Sequence, residues 1–131
     1  MLARGDYQGS LACYIEAAKT AVNSNDSTNF FVLQGTIALV NYYMKSYDKA
    51  EKYFAETIRF LEKRQDRKEL ASVYNNLGMV YSAQNRNQEA ITNYEKSYRL
   101  KLEIGNTDYL HVLNNLGDTW QKMDDLVKEP Q

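Results

Sequence analysis

One proline occurs in the 131 residues, and it is Pro130, next to last. With only six glycines besides, the chain has few residues that break helices, and a nearly all-helical protein is expected. A lone cysteine, Cys13, excludes an intramolecular disulfide. A lone histidine, His111, leaves no Cys/His set for a structural zinc ion. Cys13 is expected to be a small buried hydrophobe. There is no excess of basic residues: sixteen Lys and Arg stand against seventeen Asp and Glu. A surface that neutralises a polyanion therefore has no support, and no nucleic-acid partner is expected. The amino terminus lacks the apolar core of a signal peptide, and no run approaches the roughly 18 apolar residues that cross a bilayer. No membrane partner and a cytoplasmic location are expected.

What the chain does have is a repeat. Gly5-Asp6-Tyr7-Gln8-Gly9-Ser10, Lys45-Ser46-Tyr47-Asp48-Lys49-Ala50 and Asn85-Arg86-Asn87-Gln88-Glu89-Ala90 superpose at an offset of 40. The match continues through Tyr14, Phe54 and Tyr94, and through Ala18, Ile58 and Tyr98. Between these segments a second element recurs: Val73-Tyr74-Asn75-Asn76-Leu77-Gly78-Met79-Val80-Tyr81 aligns with Val112-Leu113-Asn114-Asn115-Leu116-Gly117-Asp118-Thr119-Trp120 at an offset of 39. A weaker copy lies at Ile37-Ala38.

Both elements have helical periodicity. Tyr47, Ala50, Phe54, Ile58 and Leu61 fall at spacings of three and four, as do Leu70, Val73, Tyr74, Leu77 and Tyr81. Asn25-Asp26-Ser27-Thr28 and Asn106-Thr107-Asp108 offer N-cap side chains, and Gly105 stands where a C-terminal cap needs positive φ. Six helices are predicted, at 7–22, 27–44, 47–64, 67–83, 87–104 and 107–124. The fold class is an all-α solenoid of antiparallel helix pairs. Gly78 and Gly117, with Ala50 and Ala90 on the partner helices, are expected to let neighbouring helices approach closely. Tyr14, Tyr53, Tyr74, Tyr81, Tyr94 and Tyr98 read as inter-helix packing.

Leu77-Gly78 with Tyr81, then Ala90 and Tyr94, is similar to the tetratricopeptide repeat pattern, and Leu116-Gly117 with Trp120 resembles the start of another copy. The Asn-Asn-Leu-Gly form and the 40-residue period resemble the long-helix subclass, as in kinesin light chain and the Rap-type bacterial regulators. The closing proline common in such repeats is absent. On this reading 1–131 is one domain: a half repeat at 1–24, repeats at 25–64 and 65–104, a half repeat at 105–124 and a polar tail at 125–131.

The resemblance implies a non-catalytic module that binds a peptide or protein segment in a concave groove, without a cofactor, as part of a larger scaffold or regulator. Asn76 and Asn115 are the leading contacts, because a side-chain amide both donates to and accepts from a peptide backbone. Ser72, Met79, His111, Asp118, Lys122, Thr36 and Tyr43 share the inferred face. The neighbouring Asn75 and Asn114 are equally well read as structural. The cationic positions of a two-carboxylate clamp fall on Gly35, Leu39 and His111, which argues against recognition of a chaperone tail.

A solenoid exposes apolar faces at its ends unless a polar helix covers them. Leu113, Leu116, Trp120 and Met123, with Leu11 near the other end, are therefore the residues for the alternative function, self-assembly into a homo-oligomer. The chain is otherwise a section of a longer array. Catalysis is not expected: His111 and Cys13 lie several predicted helices apart, and no phosphate-binding glycine loop or HExxH segment is present.

Overall fold

A computed structural model describes residues 6–128. Among them are six α-helices and no strand: α1 Asp6–Asn23, α2 Ser27–Tyr43, α3 Tyr47–Arg64, α4 Arg67–Ala83, α5 Asn87–Glu103 and α6 Leu110–Lys128. The first five begin and end within one residue of the predicted ranges.

The helices end in one recurring way. Asn25, Lys45, Gln65, Asn85 and Gly105 all have positive φ, from 56° to 70°, and they stand twenty residues apart in the chain. Each donates its N–H to the carbonyl three residues back. The next residue donates five residues back: Asp26 to Ala21 (2.8 Å), Ser46 to Asn41 (2.8 Å), Asp66 to Leu61 (3.2 Å), Arg86 to Tyr81 (2.9 Å) and Asn106 to Lys101 (2.9 Å). This pair of bonds is the Schellman closure, which satisfies carbonyls that a helix end leaves bare. In the first four turns the residue making the longer bond also opens the next helix, its carbonyl accepting from Phe30, Ala50, Leu70 or Ala90. Asp26 and Asp66 add side-chain caps, accepting from the N–H of Asn29 (3.2 Å) and Glu69 (3.3 Å). One helix stops and the next starts within two or three residues, with no proline at the junction.

The fifth connection departs from this. Asn106-Thr107-Asp108 does not cap a helix at 107, because Asn106 Oδ1 accepts the Asp108 N–H (2.8 Å) and the Asp108 carbonyl accepts from Lys101 Nζ (2.7 Å). An Asx turn pinned by the buried ammonium of Lys101 delays α6 to Leu110. α6 then runs through Lys128 instead of stopping at 124. Asp125 is helical, accepting from Gln121 Nε2 (3.0 Å). The expected tail at 125–131 is therefore helix up to 128, and its remainder, with Pro130, lies outside the described residues.

Two compact units, Met1–Phe60 and Leu61–Gln131, divide the chain. In the first, α1 packs on α2. Tyr7, Ala18, Ala21, Ile37, Ala38, Val40, Ala50 and Phe54 are buried. Phe31 stacks on Phe60 with ring centroids 3.9 Å apart. Cys13 is exposed, which corrects the expected burial: it falls off the stripe formed by Tyr7, Ala18 and Ala21.

In the second unit α4 and α5 form the closest pair. A Cβ placed on Gly78 would lie 2.5 Å from Tyr94 Cε1 and 2.6 Å from Cδ1, and the Tyr94 ring is itself buried. Ser97 Oγ donates to the Ala71 carbonyl at 2.6 Å, linking the same two helices. α6 packs on α5, with Val112 joining Ala90 and Tyr94 in a core that Met79, Tyr81, Tyr98 and Leu116 flank. Gly117 does not repeat the role of Gly78: a Cβ there would meet nothing within 4 Å. Its outward side has no neighbouring helix in this structure.

Of the packing tyrosines, Tyr74 and Tyr94 are buried, and Tyr14, Tyr53, Tyr81 and Tyr98 are half-buried. Tyr74 donates its hydroxyl to Glu62 at 2.9 Å. Burial, then the bond to Glu62 and that carboxylate's charge, push the phenol up to about 12.

Two outcomes are expected. Gly78→Ala forces the buried Tyr94 ring to move, and overpacking of this kind costs about 1–3 kcal/mol, more than the helix-propensity gain of about 1 kcal/mol offsets. Gly117→Ala takes that gain without a clash. Urea unfolding should therefore show the first variant less stable and the second more stable than the parent. For Tyr74, the unfolded chain loses the phenolic proton near the ordinary value of about 10, while the folded chain holds it to about 12. Its contribution is complete below pH 10 and is lost as pH rises from 10 to 12. The stability difference between parent and Tyr74→Phe should shift against the parent across that window and stay flat from pH 8 to 9.5.

Candidate peptide-binding surface

α4 and α6 are the two helices of the Asn-Asn-Leu-Gly type, and they touch each other while both pack on α5. Two side-chain bonds tie them together. Asn115 Nδ2 donates to Asn75 Oδ1 at 3.1 Å. Two turns further along, Lys122 Nζ donates to Ser82 Oγ (2.8 Å) and to the Ser82 carbonyl (3.1 Å). An α-helix places residues 3–4 apart on one face, so Asn115, Asp118 and Lys122 form a row along α6. Ser72, Asn76 and Met79 form the corresponding row on α4.

The expected residues differ in their surroundings. Ser72, His111, Asp118 and Lys122 are exposed; Asn76, Asn115 and Met79 are half-buried. Met79 lies against the Ala90, Tyr94 and Val112 core, so its side chain contributes packing at this face. Asn75 is buried with its oxygen engaged by Asn115, a structural use, whereas Asn114 is exposed. The Asn115 amide spends one N–H on Asn75, and an amide has a second N–H and a carbonyl oxygen as well. His111 Nδ1 stands 3.9 Å from Asp108 Oδ1, at the margin of an ion pair and open to water. The surface thus combines amides, a hydroxyl and charges of both signs.

Thr36 and Tyr43 belong to the first unit. The Thr36 hydroxyl donates to the Val32 carbonyl of its own helix (3.2 Å). Tyr43 is exposed and stacks on Tyr7, with ring centroids 6.1 Å apart.

The residues expected at the open ends separate into two sets. Leu113 and Trp120 are exposed, Trp120 by 52%, and with Leu110 and Gly117 they line one outward stripe of α6. Leu116 and Met123 are half-buried, Leu116 against the core, and Leu11 is half-buried on α1.

Sequence reasoning missed three features. Val112 is fully buried against Ala90 and Tyr94, a core position that the sequence reading did not single out. Lys101 is a buried cation. Gln34, on α2, lines a cavity together with residues of α1. Only the last had a usable signal, the change from Tyr74 to Gln34 at the same place in the repeat. Among the described residues, no three His, Cys, Asp or Glu side chains gather as a metal site would need. No described helix is long and apolar enough to cross a membrane.

Comparison with known proteins agrees with this geometry. The chain is similar to the regulatory protein RapK of Bacillus subtilis (strain 168), 31% identical over 93 residues, which is 70% of this chain and 24% of that protein. It therefore spans about a quarter of that relative's length. The crystal structure of BtubC (BKLC) from P. vanneervenii superposes with a TM-score of 0.82 at 21% identity, over 92% of this chain and 51% of that one. The fold is thus the all-α, tetratricopeptide-like solenoid of helix pairs. The tetratricopeptide repeat model matches residues 29–103 and 69–127, and the chain, with six successive helices among its described residues, belongs to the tetratricopeptide repeat family.

Proposed function

We propose that this member of a protein-interaction family is a non-catalytic binding module, working in the cytoplasm without a cofactor, whose α4–α6 face takes up an extended peptide or protein segment. The observation that carries the reading is the amide pair. The Asn115–Asn75 bond holds Asn115 in place, and Asn76 stands half-buried beside it. Amides fixed in this way meet the N–H and C=O groups of a peptide backbone with little loss of their own freedom. Ser72 and Asp118 lie along the same rows and add side-chain reading at either side. The similarity to a regulatory protein supports a regulatory setting, and the share of that relative covered supports a place within a longer array.

A second reading rests on a different observation. The stripe of Leu110, Leu113, Gly117 and Trp120 presents apolar side chains around an open glycine, a surface suited to a packed helix from a second copy. A head-to-tail contact of that kind is heterologous and builds rings or filaments. Leu113→Gln with Trp120→Gln should dissolve any oligomer that the parent forms at high micromolar concentration. A parent that scatters light as a strict monomer there contradicts this second reading.

For the first reading, capture from lysate with the intact chain, followed by titration of the captured partner, is the direct test. Asn76→Ala breaks no bond seen within the fold and should weaken that partner at least tenfold, about 1.4 kcal/mol. Adding Asn115→Ala should weaken it further and also lower stability by about 1–3 kcal/mol, because the buried Asn75 oxygen loses its donor. Equal recovery and equal affinity for parent and Asn76→Ala would remove the main support.

A further inference from the structure

Two helix faces are open in this structure although their repeats elsewhere in the chain are covered. On α6, Leu110, Leu113, Asn114 and Gly117 are exposed, while Ala71, Tyr74, Asn75 and Gly78, which stand 39 residues earlier, are buried. On α1, Cys13 and Ala17 are exposed and Ser10 and Tyr14 half-buried, while their counterparts two repeat periods later, Asn93, Ser97, Ala90 and Tyr94, are all buried.

The buried counterparts belong to α4 and α5, and there the two sets meet. The Tyr94 ring lies against Gly78, Ser97 donates to the Ala71 carbonyl at 2.6 Å, and the Lys96 ammonium stands 5.4 Å from the centre of the Tyr74 ring. The open face of α6 is therefore the α4 half of this contact, and the open face of α1 is the α5 half. The register is a property of the repeat. In the first unit Gln34 of α2 donates to Glu56 of α3, 22 residues on, the same separation as Tyr74 and Lys96. Ala38 and Phe54, at the places of Gly78 and Tyr94, are buried there too. Of the three helices of the α5 type, α1 alone keeps this row open.

Gly117 makes the vacancy specific. A glycine inside a helix destabilises it relative to alanine, and at Gly78 the close approach of Tyr94 offsets that loss. At Gly117 nothing within the fold does so, since a Cβ there would meet no atom within 4 Å. Tyr14 is the tyrosine that corresponds to Tyr94, and it is held on an open helix face.

We propose that α1 of a second copy packs on α6 as α5 packs on α4, with Tyr14 seated against Gly117 and Ala17 beside Leu110. This rests on the self-assembly reading above and names the surface that completes it. Ala17 stands at the place of Ser97, so the contact is apolar where α4 and α5 share a hydrogen bond. Leu110, Leu113 and Trp120, all exposed on α6, lose water on one side, and Cys13 and Ala17 lose it on the other. Each molecule offers one face of each kind, so the contact is heterologous.

The test uses sedimentation equilibrium of the full chain up to high micromolar concentration, with folding of each variant checked by circular dichroism. Ala17→Glu blocks α1 and Gly117→Leu blocks α6, each at an exposed residue. The parent should associate progressively, and either variant alone should weaken association at least tenfold. An equimolar mixture of the two retains one intact pair of faces and should stop at a heterodimer, twice the 15.2 kDa chain mass. Tyr14→Ala should also weaken association, and alkylation of Cys13 in the parent should slow as chain concentration rises. A parent that stays monomeric overturns the proposal together with the self-assembly reading, and leaves α6 to a helix of another protein. Association that persists in Ala17→Glu but is lost in Leu113→Gln with Trp120→Gln overturns this proposal alone, as does a mixture that stays monomeric.

Discussion

The distance between α4 and α5 is set at Gly78, where the buried ring of Tyr94 stands so close that no side-chain carbon fits. Most of the second unit follows from that contact. Close approach places Ser97 within 2.6 Å of the Ala71 carbonyl and lets Ala90 and Tyr94 present one surface to Val112 of α6. With α6 seated there, Asn115 reaches Asn75 and Lys122 reaches Ser82. The face proposed for peptide binding is thus positioned by a packing contact behind it. Packing density makes this a firm constraint, since interiors close to crystalline density transmit small displacements instead of absorbing them.

The turns supply the second regularity. Five left-handed residues at intervals of twenty reverse the chain by the same two hydrogen bonds each time. Only one of the five is glycine. At Lys45 and Gln65 the chain accepts the strain of positive φ on an ordinary side chain, and the repeated Schellman bonds and the packing of the flanking helices compensate for it. Closure by hydrogen bonding also explains how long helices succeed one another here without the proline that often ends such repeats.

Most of the helical layout was readable from the residues because two independent periods coincide, the three-to-four spacing within helices and the 40-residue offset between them. Gly78 and Tyr94 stood out for the same reason. What the spacing did not convey was context that depends on a neighbour. Gly117 matches Gly78 residue for residue, yet its outward side is open, since a sequence position says what could pack there and not whether anything does. The start of α6 was displaced by Lys101, whose ammonium reaches seven residues along the chain to the Asp108 carbonyl, a link that no local capping rule contains. Cys13 was misjudged from the usual behaviour of its residue type, while its phase on α1 already placed it off the buried stripe. Of the candidate surface, the amides were legible, but their diagonal pairing of Asn115 with Asn75 was not.

Native-state amide hydrogen exchange tests most directly whether the α4–α5 contact underlies the second unit. Slow exchange belongs to segments with the greatest buried contact, and faster exchange to those with one side open. The amides of residues 73–80 and 91–97 should exchange only through the largest opening that this unit shows. Those of α6 beyond Gly117 should exchange through smaller openings, with α4 and α5 remaining protected. If α6 proved as protected as α4 and α5, or if the α4–α5 amides opened first, the second unit would not rest on the Gly78–Tyr94 contact.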